Sequence, residues 1–292
     1  MNSSITVTFN PDIECLKLQF DSIKRQQIDI CIIVDNGSHN VSEIEDLTQQ
    51  FNFTFIKLGT NYGLAYAQNV GIESAIFHDA KYILLLDQDS ILKEKFVENL
   101  KRVYLKYDVG ILGASFYDPT NGRHYPGTSF KGPFIHRVAI TEITDVTFVI
   151  ASGSFFSTDV FKKIGGMKEE LFVDYIDVEW SLRAKKFGYR VAMTDEAVMA
   201  HTIGDTRMNL FGRTISVHSP LRRYYLVRNS FLMLRLRYVP FGYKLRELVF
   251  NVIRTCIGFL TSEHKVVFCK YVLMAFRDGV LGRSGPCPKI YK

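Results

Sequence analysis

The sequence has little of what would set it apart from ordinary globular chains. Its five cysteines (Cys15, Cys31, Cys256, Cys269 and Cys287) are scattered, odd in number and without a C-x-x-C pair. This argues against a disulfide framework or a structural zinc site and for a reducing compartment. It has no run of ~18 uncharged apolar residues, so no transmembrane helix is expected. The nearest candidates, LVFNVIRTCIGFL and VVFCKYVLMAF, are short and interrupted by Arg254 and Lys270. The opening MNSSITVTFNP lacks a basic stretch followed by an apolar core and does not read as a secretory signal. Tryptophan occurs once, at position 180. Acidic residues are scarce in one region: residues 207–292 hold 3 Asp+Glu against 16 Lys+Arg, a balance of +13, whereas residues 1–206 balance at −7. The last third is therefore expected to seek an anionic surface, and the first two thirds are not.

The chain has 292 residues, 47% of them apolar and 23% charged, enough for one large α/β domain or a domain with an extension. ITVTF (5–9), ICIIV (30–34), FTFIKL (53–58), YILLL (82–86) and VGILGA (109–114) read as buried strands. Helical patterns lie between them, at 12–26, 42–50 with Ser42 as a possible N-cap, 63–78 and 93–105. Strand–helix alternation with nearly continuous apolar strands predicts a mostly parallel sheet flanked by helices, with ligands bound at the carboxyl ends of the strands. Residues 115–145 read as irregular. VTFVIASGSFF (146–156) reads as a further strand, followed by helices from Thr158 and Ile176 and the strands YRVAM and EAVMA. From 219 the pattern becomes helical throughout, at 219–237, 240–260 and 264–281. We therefore expect a catalytic domain over 1–218 and a basic amphipathic helical extension over 219–292.

Asn10, Asp35 and the pair Asp87/Asp89 all fall just past a strand's carboxyl end, on one rim. Residues i and i+2 of an extended segment point the same way, so Asp87 and Asp89 repel each other unless a cation lies near. Mg²⁺ or Mn²⁺ takes such oxygen ligands and leaves positions open for phosphate oxygens. The plain alternative is a capped loop, with one Asp as N-cap of the helix near residue 93. NYGLAYAQNVG (61–71) is not G-x-G-x-x-G and does not support a dinucleotide site. Its small residues let backbone approach the sheet or a ligand, with Asn61 and Asn69 as the polar candidates. In FVDYIDVEWSLRAKKFGYR (172–190), Asp177 and Glu179 fall in a helix's first turn, where the helix dipole favours them. That does not account for Asp174, Asp177, Glu179 and Trp180 clustering within seven residues. A carboxylate poised as general base over a sugar hydroxyl does. Arg183, four residues after Glu179, can pair with it and leave Asp177 the freer acid. His201 again follows a strand end; as a neutral imidazole it could complete a carboxylate metal site and tilt selection toward Mn²⁺.

The ordered series VTFNP (7–11), DNGS (35–38), N-x-G-x-A-x-A-x-N-x-G (61–71), DQD (87–89), ASGS (151–154), IDVEWSLRA (176–184), His201 and RRYYLVRN (222–229) resembles glycosyltransferase family 2. Within it, FVDYIDVEWSLRA and RYYLVRN look most like bacterial rhamnosyltransferases of surface-polysaccharide (O-antigen) synthesis. The resemblance implies a GT-A fold and inverting transfer of a sugar from a nucleotide-sugar donor, dTDP-L-rhamnose being favoured, to a glycan or lipid-linked glycan acceptor. It implies that Thr8 and Asn10 line the nucleotide pocket, that Asp35 binds the pyrimidine, and that Asn61 and Asn69 lie beside the nucleotide. Asp87 then serves the ribose and metal side, Asp89 and His201 the Mg²⁺ or Mn²⁺. Asp177 is the base, Ile176 replacing the Glu of the family's usual Glu-Asp pair, and Asp174, Glu179 and Trp180 are acceptor or supporting residues. Nucleic acid is not an expected partner. The basic helices either anchor on an anionic membrane surface or only pack on the catalytic domain with their charges solvated, and the two are compatible; the expected place is the cytoplasm, peripheral to the inner face of the plasma membrane. The rival readings are a D-x-D phosphotransferase and a non-enzymatic membrane- or nucleic-acid-binding module built on the basic helices.

Overall fold

Apolar strands and the helices between them set the architecture of the first half. The computed structural model describes residues 1–201, 206–210, 213–217 and 219–288. In chain order it begins β1 (Asn2–Thr8), α1 (Ile13–Lys24), β2 (Ile30–Asp35), α2 (Val41–Gln50), β3 (Thr54–Lys57), α3 (Leu64–Phe77) and β4 (Tyr82–Asp87). These strands lie in the order β3-β2-β1-β4, all parallel, as their continuous apolar runs predict. α3 packs close on them because its inward residues are small: a Cβ on Gly71 would lie 2.5 Å from the Ile5 side chain. Gly71 thus serves approach to the sheet, whereas Gly63 lets the chain pass close to Phe172. The residue before α2 is Asn40, so Ser42 is inside the helix and not its N-cap.

The second half continues with β5 (Ile91–Leu92), α4 (Phe96–Lys106), β6 (Ile111–Tyr117), β7 (Gly127–Lys131), β8 (Phe134–Val138), β9 (Thr144–Asp145), β10 (Ser154–Ser157), α5 (Thr158–Ile164), α6 (Ile176–Lys186), β11 (Val191–Ala200), β12 (Thr206–Leu210) and β13 (Arg213–Val217). The main sheet extends as β4-β10-β6-β11-β5, with β9 also on β11. β10 runs antiparallel to both β4 and β6, so the sheet as a whole is mixed. Three sequence readings shift here. Of 146–156 only the end is strand; Val146 and Val149 are buried, but as a looped segment. The two strands expected at YRVAM and EAVMA are one strand, bulged between Thr194 and Val198. The irregular 115–145 contains the β7–β8 hairpin, turned at Gly132-Pro133.

Three helices follow, α7 (Pro220–Leu234), α8 (Phe241–Thr261) and α9 (Lys265–Leu281), matching the expected helical stretches except that α8 runs one residue further. Residue 218, the expected domain boundary, and residues 289–292 lie outside the described residues. The helices engage the first part of the chain directly. Met233, Val239 and Tyr243 belong to the main core cluster, and the Tyr175 hydroxyl donates to Glu247 Oε2 at 2.6 Å.

Candidate functional site

β4 delivers Asp87 to the rim, and the two-residue β5 turns back to pair antiparallel with the end of β11, Ala200 opposite Ile91. That short pairing brings Asp89 beside His201. His201 Nδ1 lies 3.1 Å from Asp89 Oδ1 and Nε2 3.7 Å from Asp87 Oδ2. One ligand atom from each of the three residues falls within 4.8 Å of the others. Lys95 precedes α4, so neither Asp caps it, which removes the capped-loop reading. Withdrawal from water raises the Asp87 carboxyl above its ordinary value; His201 pulls it down and Asp89 pushes it further up, although 40% of the side chain still opens to the cavity. Burial pulls the His201 imidazole down, but its hydrogen bond to Asp89 and the charges of both carboxylates carry it net upward. Two hard carboxylates and one imidazole fit a divalent cation: its charge would relieve a repulsion this site otherwise retains.

The frame behind these ligands is the part sequence reasoning missed. Buried Ser152 accepts from the Asp87 backbone N–H at 3.1 Å and shares a 2.6 Å hydrogen bond with Ser90, whose hydroxyl lies 3.4 Å from His201 Nδ1. The Gln19 amide of α1 donates to the Asp87 carbonyl. Ser152 belongs to the ASGS motif and so was visible without a role; nothing in the sequence marks Gln19.

Asp87, Asp89 and His201 open on a cavity of about 820 Å³, also lined by Asn36, Asn61, Phe172 and Arg222. Asn61 accepts from Asn36 and from the Gly63 N–H, fixing the start of α3. Asp35 sits below the rim, fully buried. Its Oδ1 accepts from Thr8 at 3.2 Å, and its Oδ2 from the Gly37 and Ser38 N–H groups, each at 3.1 Å. Asn10 ties the end of β1 to the same turn through Ser38 and His39. Asn69 is buried away from the ligands and brackets the Met167 backbone and Glu169.

The acidic cluster at 174–180 divides in two. Glu179 is fully buried, bound bidentately by Arg183 at 2.9 Å as the spacing predicts, and also receives the Tyr238 hydroxyl. Trp180 is a core residue; its ring meets Phe156 at 4.6 Å and its Nε1 donates to the Gly165 carbonyl. Both support the fold. Asp174 lines a cavity with Tyr175 and Arg137, whereas Asp177 lines a small enclosed pocket beside Trp180 and Ser181. Asp174 Oδ1 pairs with Arg222 at 3.1 Å. Asp177 Oδ1 accepts from the Val178 N–H at 2.8 Å. Burial raises the Asp177 carboxyl to about 6, with the Val178 N–H opposing and the Asp174 and Asp87 charges adding. A base with that value is ready near neutral pH.

Phe172, Asp174 and Tyr175, none of them glycine, all have left-handed φ (62° to 65°). Such backbone persists only where its surroundings over-determine it. They do so here: the buried Asn229 amide reaches the Leu171, Val173 and Asp174 carbonyls at 2.7–3.1 Å, and buried Arg228 bonds the Leu171 carbonyl at 3.0 Å. The closing Arg-Asn of RRYYLVRN thus holds the acidic loop in place.

Comparison with known proteins agrees with this geometry. The model of the glycosyl transferase family 2 matches residues 3–165. The dTDP-rhamnosyl transferase RfbF of Shigella flexneri is 35% identical over 294 residues, spanning 98% of each chain. Among solved structures, S. aureus TarS superposes with a TM-score of 0.61 at 17% identity, covering 96% of this chain and 48% of that one. GalNAc-T7, solved with UDP, GalNAc and Mn²⁺, gives 0.60 at 12% identity, covering 96% of this chain and 56% of its own. These likenesses share the GT-A arrangement of a mixed sheet flanked by helices. The chain belongs to glycosyl transferase family 2.

Proposed function

We propose that this glycosyltransferase moves L-rhamnose from dTDP-L-rhamnose, with inversion, to a hydroxyl of a lipid-linked glycan in cell-surface polysaccharide synthesis. The observation that carries the reading is the Asp87–Asp89–His201 triad on the large cavity, with a raised carboxyl, Asp177, within its electrostatic reach. The choice of donor follows the likeness to RfbF over nearly the whole length. Mg²⁺ or Mn²⁺, the imidazole favouring Mn²⁺, would be held by the triad and neutralise the donor diphosphate as a Lewis acid. Asp177 takes the proton of the acceptor hydroxyl as that oxygen bonds to the anomeric carbon. The bond from that carbon to the diphosphate breaks on the opposite face, and the nucleoside diphosphate leaves. Asn61 borders the nucleotide, Thr8, Asn10 and Asp35 brace the turn beneath it, and Asn69 steadies the loop before Asp174.

Titration with dTDP, UDP, GDP and ADP, with and without Mn²⁺, tests the donor. We expect dTDP to bind, and only with the metal. Preference for UDP or GDP would discard rhamnose; silence from all four nucleotides would discard the transferase chemistry.

The same reading puts the protein in the cytoplasm, on the inner face of the membrane. Its five cysteines are free. No helix among the described residues is long and apolar enough to cross a membrane. Yet α8 and α9 expose large apolar side chains, including Phe241 (79%), Leu260 (72%), Val266 (71%) and Leu273 (69%). Apolar surface of this extent within a region of +13 charge suits the surface of an anionic bilayer. Flotation with anionic vesicles should carry the protein upward, less so at high salt; failure at both salts removes the membrane from the reading.

A further inference from the structure

Between α3, α6 and the looped segment before β10 lies an enclosed space of about 10 Å³, room for one water. Its polar lining is Gln68 of α3, Ser154 at the start of β10, and Asp177 and Ser181 of α6; the rest is apolar, Leu85 and Met167 among it. Asp177 and Ser181 stand four residues apart and share one face of α6. Gln68 comes three residues before Gly71, on the face of α3 that lies against the sheet. Ile72 and Ala75 pack that face with carbon alone. A buried glutamine in their company therefore calls for a polar reason.

The hydrogen-bonding capacity of these four side chains is open in a complementary way. Gln68 is 3% exposed, its Oε1 is wholly buried, and no group among the described residues bonds its side chain. An amide so placed costs free energy that a methionine would not. Asp177 gives Oδ1 to the Val178 N–H, and its Oδ2 has no partner among the described residues. Ser181 Oγ accepts from the Val149 N–H at 3.3 Å, which leaves its own proton to give. The hydroxyl of buried Ser154 is likewise unengaged among the described residues. Two acceptors and two hydroxyls thus surround a space of one molecule. Water has two hydrogens for the acceptors and two lone pairs for the hydroxyls.

We infer that this space is a binding site for one internal water, and that Gln68, Ser154 and Ser181 act through it as positioning residues for Asp177. The water gives one hydrogen to Gln68 Oε1 and the other to the Asp177 carboxylate, and accepts from both serines. It fixes the second carboxylate oxygen as the Val178 N–H fixes the first, and it favours the ionised form. Each oxygen keeps a further lone pair for the proton of an acceptor. The charges of Asp174 and Asp87 oppose ionisation; Tyr243, which burial raises well above its ordinary value, stays neutral within reach of Asp177. The water site needs only the four side chains; its catalytic meaning rests on the transferase reading.

The test compares Gln68→Met, which fills the space with apolar atoms, with Gln68→Ala, which makes room for water in place of the amide. We expect Gln68→Met to move the acid limb of turnover to higher pH, the rate falling about tenfold near pH ~5 and little near pH ~8, with metal-dependent dTDP binding unchanged. Gln68→Ala should keep an acid limb close to that of wild type, although it loses more packing. A side chain that only filled the core would give the reverse order. An unmoved limb in Gln68→Met, or one moved as far in Gln68→Ala, would overturn the inference. A second readout needs no turnover: Asp177→Asn is made in wild type and in Gln68→Met, and thermal denaturation at neutral pH reads the gain in each. The gain should be larger beside Gln68→Met, where the ionised carboxyl has lost its water. A larger gain with no transfer by wild type would sink the transferase reading and keep the water site; equal gains would sink the water site whatever the turnover.

Discussion

Asp177→Asn is expected to lower turnover by about 10²–10⁴-fold while leaving donor affinity nearly unchanged, since in the proposed reaction the group takes the proton of the acceptor. The substitution keeps an oxygen for the Val178 N–H and removes the charge. Wild-type rate should show an acid limb. The Asp177 carboxyl titrates at about 6, so the active, ionised form is lost as the pH falls through that value. The variant should lack that limb. Stability should move the other way. A carboxyl whose value is raised from 3.8 to about 6 on folding costs stability once ionised: the cost is fully present above about 6 and gone below 3.8. Asparagine removes it, so thermal denaturation at neutral pH should show a variant more stable by up to roughly 3 kcal/mol. Unchanged turnover would exclude Asp177 as the base; a folded variant equal to wild type in stability would exclude the burial cost.

Asp89→Ala is expected to abolish the metal-dependent part of nucleotide binding. Loss of an outer partner of a metal ligand costs about 10–100-fold in affinity, and loss of a ligand itself should exceed that. It also leaves His201 without its 3.1 Å partner. Calorimetric titration of Mn²⁺ and then of nucleotide reads both effects. Full retention of the metal response in this variant would mean that the cation is held elsewhere.

Much of this was legible before any coordinates. The apolar runs fixed β1 to β4, and strand ends placed Asp87 and Asp89 on the rim because ligands gather where parallel strands stop. The Glu179–Arg183 spacing gave that pair directly. What escaped was non-local. β5 has two residues, too few for a pattern, yet its pairing with β11 is what brings Asp89 to His201. The β7–β8 hairpin is short and mixes polar with apolar residues, so the region's glycines and prolines read as irregular when Gly132-Pro133 marks a hairpin turn. Asp35 and Asn69 looked like ligand-facing groups because polar side chains at strand and helix ends often are. Burial turned their hydrogen bonds inward to the chain's own N–H and carbonyl groups. Arg228 and Asn229 lay in a visible motif, but their task depends on a loop more than fifty residues earlier.

The cavity face that the hairpin and α8 share beside Asp174 has a consequence for how such a chain can diversify. The metal triad and its fastening come from β4, β5, β11 and the Ser152 segment. Arg137 comes from β8 and Arg246 and Arg254 from α8; the hairpin is tied to the segment before Ser152 through Thr147, and α8 enters the main core at Tyr243. A lineage can redraw that face by changing the hairpin and one helix while the triad's face is inherited, as long as the contacts of Thr147 and Tyr243 are kept. The same division makes an exchange of hairpin and helix between relatives a way to change that face while the Asp87–Asp89–His201 triad is kept.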